Sequence, residues 1–162
     1  CDFVHRSDAD AVFTRSAESL QQIISKADPG NQADLIVTRD DGRPPSDRQH
    51  HAVNLGNLFV RHTPCAFTIL AAIAALGMEG LDKYWCVGPL FHGEDQCALA
   101  VILGESGLGD DLAGALKLVP HRAFNAMVSD RNFSCDDPVL HRPGCRSESC
   151  ADELLDTSCQ LA

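Results

Sequence analysis

The sequence predicts an α+β domain in which a central buried helix packs on a small, mostly antiparallel sheet and a Cys-rich irregular C-terminal tail follows. Three observations carry this expectation. The stretch from Thr63 to Gly77 is apolar at every position between Pro64 and Leu76 except Thr68, and a helix without a wet face must be surrounded by other elements. Short runs of β-prone residues alternate with turn-rich segments on either side of it. From Ser129 onward the chain is polar and rich in Pro and Cys. At 162 residues the simplest organisation is one domain over 1–162, with a core over 1–130 and a tail over 131–162.

Taken in order, Ser7 with Asp10 three residues on resembles a capping box. Val12, Phe13, Leu20, Ile23, Ile24 and Ala27 then recur at helical spacing until Asp28-Pro29-Gly30 stops the run. Ala33 to Thr38 reads as a short strand, and Arg39 to Pro45 as a loop. Gln49 to Arg61 carries Val53, Leu55, Leu58 and Phe59 and reads as a helix interrupted near Gly56. The apolar run that follows has Thr63 as N-cap, Pro64 where a missing N–H costs nothing, and Gly77 at its end. Tyr84 to Val87 and Cys97 to Leu103 read as strands, the second a continuous apolar run typical of a buried one. Asp110 or Asp111 caps a helix through Leu112, Ala115, Leu116 and Val119; Ala123 to Val128 follows as a strand, and Ala151 to Asp156 as a last short helix.

Composition narrows the function. With 13 basic against 23 acidic residues the formal charge is −10, so the chain lacks the cationic footprint that duplex nucleic acid requires. One Trp and one Tyr offer no platform for stacking bases. No run reaches the roughly 18 apolar residues of a membrane span, and no leader or basic amphipathic anchor is visible, so a soluble or processed protein is expected. Eight cysteines without a single CxxC, four of them at 135, 145, 150 and 159, favour an oxidising compartment and a disulfide-tied tail. The oligomeric state is not legible.

Cys65 lies in the first turn of the apolar helix, where unsatisfied N–H groups and the helix dipole stabilise a thiolate. A thiol nucleophile needs a base, and the base needs an orienting group. His121 leads the expected strand at 123–128, and Asp136-Asp137-Pro138 follows. A cysteine opening an apolar helix that closes on Leu76-Gly77, a histidine beginning a strand and a later Asp-Pro pair resemble the transglutaminase-like and papain-like cysteine enzymes. That resemblance implies acyl transfer on a protein or peptide substrate (deamidation, transamidation or peptide hydrolysis) without a cofactor. Cys65 would attack, His121 would serve as base and acid, and Asp137 or Asp136 would hold the imidazole. His92 with Asp110 is an alternative base and orienter for the same thiol.

Two other readings stand beside it. His92-Gly93-Glu94 with Cys145 and Cys150 resembles the signature of zinc-dependent nucleobase deaminases, which implies zinc on His92, Cys145 and Cys150 and Glu94 as proton shuttle. Alternatively every cysteine is structural, and the chain is a secreted, disulfide-stabilised effector or binding protein without catalysis. Arg39 to Pro45 also resembles, over seven residues, the first motif of ADP-ribose-transferring toxins, whose later motifs are absent. No phosphate-binding glycine loop or zincin motif is present. Adjacent His50 and His51, with His62, lack an acidic or thiol partner at ligand spacing and read as solvated.

Overall fold

Strand β3 (Leu35–Thr38) is buried at all four positions and lies inside a sheet covered on both faces. The computed structural model describes residues 2–14, 18–39, 53–79, 94–104, 114–127, 134, 136–142, 150 and 152. Around β3 the four-stranded sheet runs β1 (Phe3–Ser7), β4 (Asn54–Arg61), β3, β5 (Leu116–Val119). The β1–β4 and β4–β3 pairs are antiparallel, and β3–β5 is parallel. A smaller sheet joins β2 (Ala11–Phe13) antiparallel to β7 (Val139–His141), with β6 (Ala126–Met127) parallel on its other side. The class is α+β with mixed sheets.

Alternation along the strands assigns the two faces. Leu35 and Val37 of β3, with Leu55 and Leu58 of β4, point to one side. There they meet Ala66, Ile69 and Ile73 of α2 (Pro64–Glu79) and Cys97, Leu99, Val101 and Ile102 of α3 (Glu94–Gly104). Ile36 and Phe59 point to the other side, against Ile23, Ile24 and Ala27 of α1 (Leu20–Ala27), Phe124 and Val139. A bulge in β4 near Gly56 shifts the pairing, so that Val37 faces Leu58 while Thr38 faces Asn54. Bulges of this kind re-aim side chains at the ends of sheets.

Several expectations are corrected. The helix expected from Ser7 is two strands and a later helix, because Ser19 and Gln22 form the capping box that starts α1. The helix expected over 49–61 is strand β4 from Asn54 on, held between β1 and β3, and Gly56 marks its bulge. The strand expected over 97–103 is α3, whose positions 97–102 are all buried; a short apolar run cannot by itself distinguish a buried strand from a buried helix. Leu116 to Val119 is a strand, not a helix, and His121–Ala123 is a 3-10 turn ahead of β6. Residues 84–87, 110–112 and 153–156 lie outside the described residues.

Helix α2 starts where expected: Thr63 Oγ1 accepts from Ala66 N at 3.2 Å and donates to Asp34 Oδ1 at 2.7 Å. It is not the surrounded centre of the fold. Cys65, Phe67, Thr68, Ala71, Ala74 and Ala75 are exposed, because alanine favours helix and costs little in water. The more deeply enclosed helix is α3, buried from Cys97 to Ile102. Within the segment set apart as a tail, Val139–His141 is a fully buried strand of the core.

Candidate functional site

Strands β1 and β2 are joined by Asp8-Ala9-Asp10, and their pairings hold that turn from both sides. Asp8 N donates to Gly56 O at 2.7 Å, and Ala11 N to Asp8 O at 3.2 Å. The β2–β7 register sets Ala11 opposite His141, and Arg142 N donates to Asp10 O at 3.0 Å. The two carboxylates at the end of β1 therefore meet an imidazole from the far end of the chain. His141 Nε2 lies 3.2 Å from Asp10 Oδ1 and 3.9 Å from Asp8 Oδ2. One ligand atom from each of the three residues falls within 4.8 Å of the others.

The cluster lies between surface and core, with Asp8 and Asp10 half-buried. His141 is 3% exposed. Burial pushes the Asp8 carboxyl up; Arg6 and His141 oppose that shift, while Asp10 and Asp95 add to it. Arg6 Nη2 takes Asp8 Oδ1 at 2.9 Å and faces Asp95 Oδ2 at 3.6 Å, and Arg6 Nη1 donates to Leu55 O. This leaves Asp8 Oδ2 as the oxygen turned toward His141. Two carboxylate oxygens and one ring nitrogen suit a divalent cation of the magnesium or manganese class, which is held by one or two carboxylates and completed by water and substrate phosphate. The residues fit such an ion.

Behind the ring is a buried amide network. Asn125 Oδ1 lies 3.0 Å from His141 Nδ1 and accepts from Asn57 Nδ2 at 2.8 Å. Asn125 Nδ2 donates to Asn54 Oδ1 at 2.9 Å and to Thr38 Oγ1 at 3.1 Å. Ser7 Oγ donates to Asn57 Oδ1 at 2.7 Å. Polar residues at 0–6% exposure thus link both sheets to the cluster, and Gly56 leaves the room the ring occupies.

The thiol arrangement is not assembled. Cys65 is an exposed free cysteine on α2, on the α2/α3 side of the sheet. Partial desolvation and the neighbouring Asp34 carboxylate push its thiol up, the reverse of activation. His121 opens the turn that leads to Phe124, which packs on the opposite face. Asp137 is committed to Arg122 through contacts at 2.8, 3.0 and 3.1 Å and accepts from Ser134 N. Asp136 is exposed beside Ser134. Of the zinc set, His92 and Cys145 lie outside the described residues, as do the alternative orienter Asp110, His50, His51 and the loop residues 40–45. Only the backbone of Glu94 is described, at the start of α3, and Cys150 is in a disulfide, as is Cys97. A disulfide sulfur is no thiolate ligand. Exchange of Cys65 for serine is accordingly expected to leave stability within about 0.5 kcal/mol, read by thermal melting.

A family model for nucleotide-diphospho-sugar transferases matches residues 3–133, most of the chain and the whole of β1 through β6. The chain belongs to this family. This nucleotide-diphospho-sugar transferase domain is similar in fold to a solved glycosyltransferase involved in the glycosylation of the major capsid of PBCV-1, with a TM-score of 0.58 and 14% identity. The match covers 96% of this chain and 66% of that one, so the domain spans just under two thirds of its structural relative. No curated protein matches it in sequence. Membership of the family overturns the expected thiol acyl transfer on a protein or peptide substrate, the non-catalytic effector and the zinc deaminase. The transglutaminase-like resemblance rested on a helix with a cysteine in its first turn, which many α+β domains can present.

The residues that sequence reasoning missed are Asp8, Asp10 and His141. Their one local signal is an Asp-x-Asp pair directly after a strand, Phe3–Ser7, whose side chains alternate between the two faces of the sheet.

Proposed function

We propose that the chain carries the cation-binding part of a transferase that moves a sugar from a nucleoside diphosphate to an acceptor. The observation that carries the reading is the convergence of Asp8, Asp10 and His141 at the end of β1 in a member of this family. In the reaction, the bond between the sugar's anomeric carbon and the diphosphate oxygen breaks, and its electron pair stays with the diphosphate. A bond from the acceptor's nucleophilic atom to the same carbon forms, and the acceptor's proton passes to solvent water. A divalent cation, when bound, supplies positive charge to the departing diphosphate. Asp8 and Asp10 would hold it through carboxylate oxygens and His141 through Nε2. Arg6 orients the Asp8 carboxylate and adds a fixed positive charge beside it.

Net charge supports the same reading. A chain of charge −10 repels a diphosphate, and an ion held between the two resolves that conflict. Cys97 and Cys150, each held in a disulfide, support an oxidising compartment, and β7 supports one domain in which part of the 131–162 segment belongs to the core. Among the described residues no helix is long and apolar enough to cross a membrane. Incubating the full chain with UDP-, GDP- and CDP-activated sugars tests the reading by release of the nucleoside diphosphate. One donor class is expected to turn over with Mn2+ or Mg2+ and to stop on chelation. Turnover unaffected by chelation, or none with any donor, contradicts it.

A further inference from the structure

The buried amides behind His141 decide where its proton sits. A backbone N–H can only donate. Gly56 N donates to the Asn54 side chain at 2.8 Å, so the atom it meets is the oxygen, Oδ1. The same oxygen is 2.9 Å from one terminal atom of the Asn125 amide, which must then be the NH2 group. The other terminal atom of Asn125 is therefore its oxygen, and that oxygen lies 3.0 Å from His141 Nδ1. An oxygen without hydrogen can only accept, so Nδ1 carries a proton. Asn57 reinforces the assignment, since its own Oδ1 accepts from Ser7 and its Nδ2 donates to the Asn125 oxygen.

We propose that Asn125 is the positioning residue of the cation site: locked by Gly56 N–H through Asn54, it keeps the proton of His141 on Nδ1 and presents Nε2 as a ligand toward Asp8 and Asp10. This inference rests on the proposed cation site and adds the device that makes its imidazole competent. A neutral ring with the opposite tautomer would point an N–H at the ion and could not coordinate. Partners that fix the tautomer of a ligating histidine change metal affinity by roughly 10–100-fold when they are removed. Asn125 is fully buried, spans both sheets and touches Asn54, Asn57, Thr38 and His141, so its amide has no room to flip without breaking all four contacts.

Two measurements on the full chain test this. In 15N-labelled protein, with His141 assigned by comparison with His141→Gln, Nδ1 is expected to carry a proton both without metal and with saturating Mg2+. A bare Nδ1 in either state overturns the proposal. This needs no variant to fold. Separately, Asn125→Ala is expected to weaken Mn2+ binding, followed by loss of the aqua-ion EPR signal, by about 10–100-fold. Asn125→Asp keeps the acceptor toward Nδ1 and is expected to retain more of the affinity. A folded Asn125→Ala chain that binds Mn2+ within twofold of the parent overturns the role of Asn125 while the cation site stands. A parent chain that binds no Mn2+ removes the site itself, and the Nδ1 measurement still decides the tautomer.

Discussion

Exchange of Asp10 for asparagine is expected to abolish metal-dependent transfer while leaving the fold in place. The variant loses one anionic ligand, and its amide cannot supply the charge that a divalent ion needs. Electrostatic help to a departing phosphoryl group is worth several kcal/mol, and each 1.36 kcal/mol is a decade in rate, so turnover should fall about a hundred- to a thousandfold. Stability should not fall with it. The turn is held by main-chain bonds from Ala11 N to Asp8 O and from Arg142 N to Asp10 O, which the exchange leaves alone. Removing one of two neighbouring carboxylates also relieves the repulsion that helps push Asp8 up. Donor turnover and thermal melting measured together separate loss of the ligand from loss of the fold. An Asp10→Asn chain with parental, chelator-sensitive turnover excludes Asp10 as a ligand.

The second large effect is expected at a residue that touches no substrate. A Cβ on Gly56 would overlap the His141 ring, standing 2.8 Å from Nδ1 and 3.0 Å from Asn54 Oδ1. Neither neighbour can yield: His141 is held in β7, and Asn54 is pinned by the bond from Gly56 N to its Oδ1. Overpacking a tight site costs about 1–3 kcal/mol, and one kcal/mol is about 2–4 °C in Tm for a chain of this size. Gly56→Ala should therefore melt several degrees lower and bind Mn2+ at least tenfold more weakly, an order of magnitude in line with disturbed outer-shell partners. In a His141→Ala background the melting penalty should shrink, because the overlap with the ring has been removed and only the contact with Asn54 Oδ1 remains. An unchanged Tm and Mn2+ affinity in Gly56→Ala would show that the ring does not sit where the structure puts it.

How far the sequence could be read depended on whether a signal was local. Thr63-Pro64 announced the start of α2 because capping is settled within one turn, and the strand ending at Thr38 followed from an unbroken β-prone run. The misread elements needed tertiary context. Residues 97–102 are as apolar as a buried strand but are a helix enclosed by a sheet and α2. Asn54 to Arg61 is a strand because β1 and β3 lie on either side, and its glycine is a bulge, not a break in a helix. The apolar helix reads as central because alanine counts as hydrophobic in composition, yet its alanines at 71, 74 and 75 face solvent.

The site was hidden for a further reason. Asp10 and His141 are 131 positions apart and meet only through the β2–β7 register, which no local pattern announces. Asp8 and Asp10 also sat in a segment that imitates a helix cap, since Ser-x-x-Asp fits both a cap and a strand end followed by a turn. Cysteine, by contrast, stood out by count and by its place at a helix start. Count and place did not reveal that Asp34 lies beside Cys65 and raises it.

The most direct test of the cation site is a titration of Mn2+ into the full chain, followed by the EPR signal of the free aqua ion, with and without a nucleoside diphosphate. One Mn2+ per chain is expected, bound more tightly when the diphosphate is present and lost in Asp10→Asn and His141→Ala alike. Binding that is absent, or that survives both substitutions, would contradict the account.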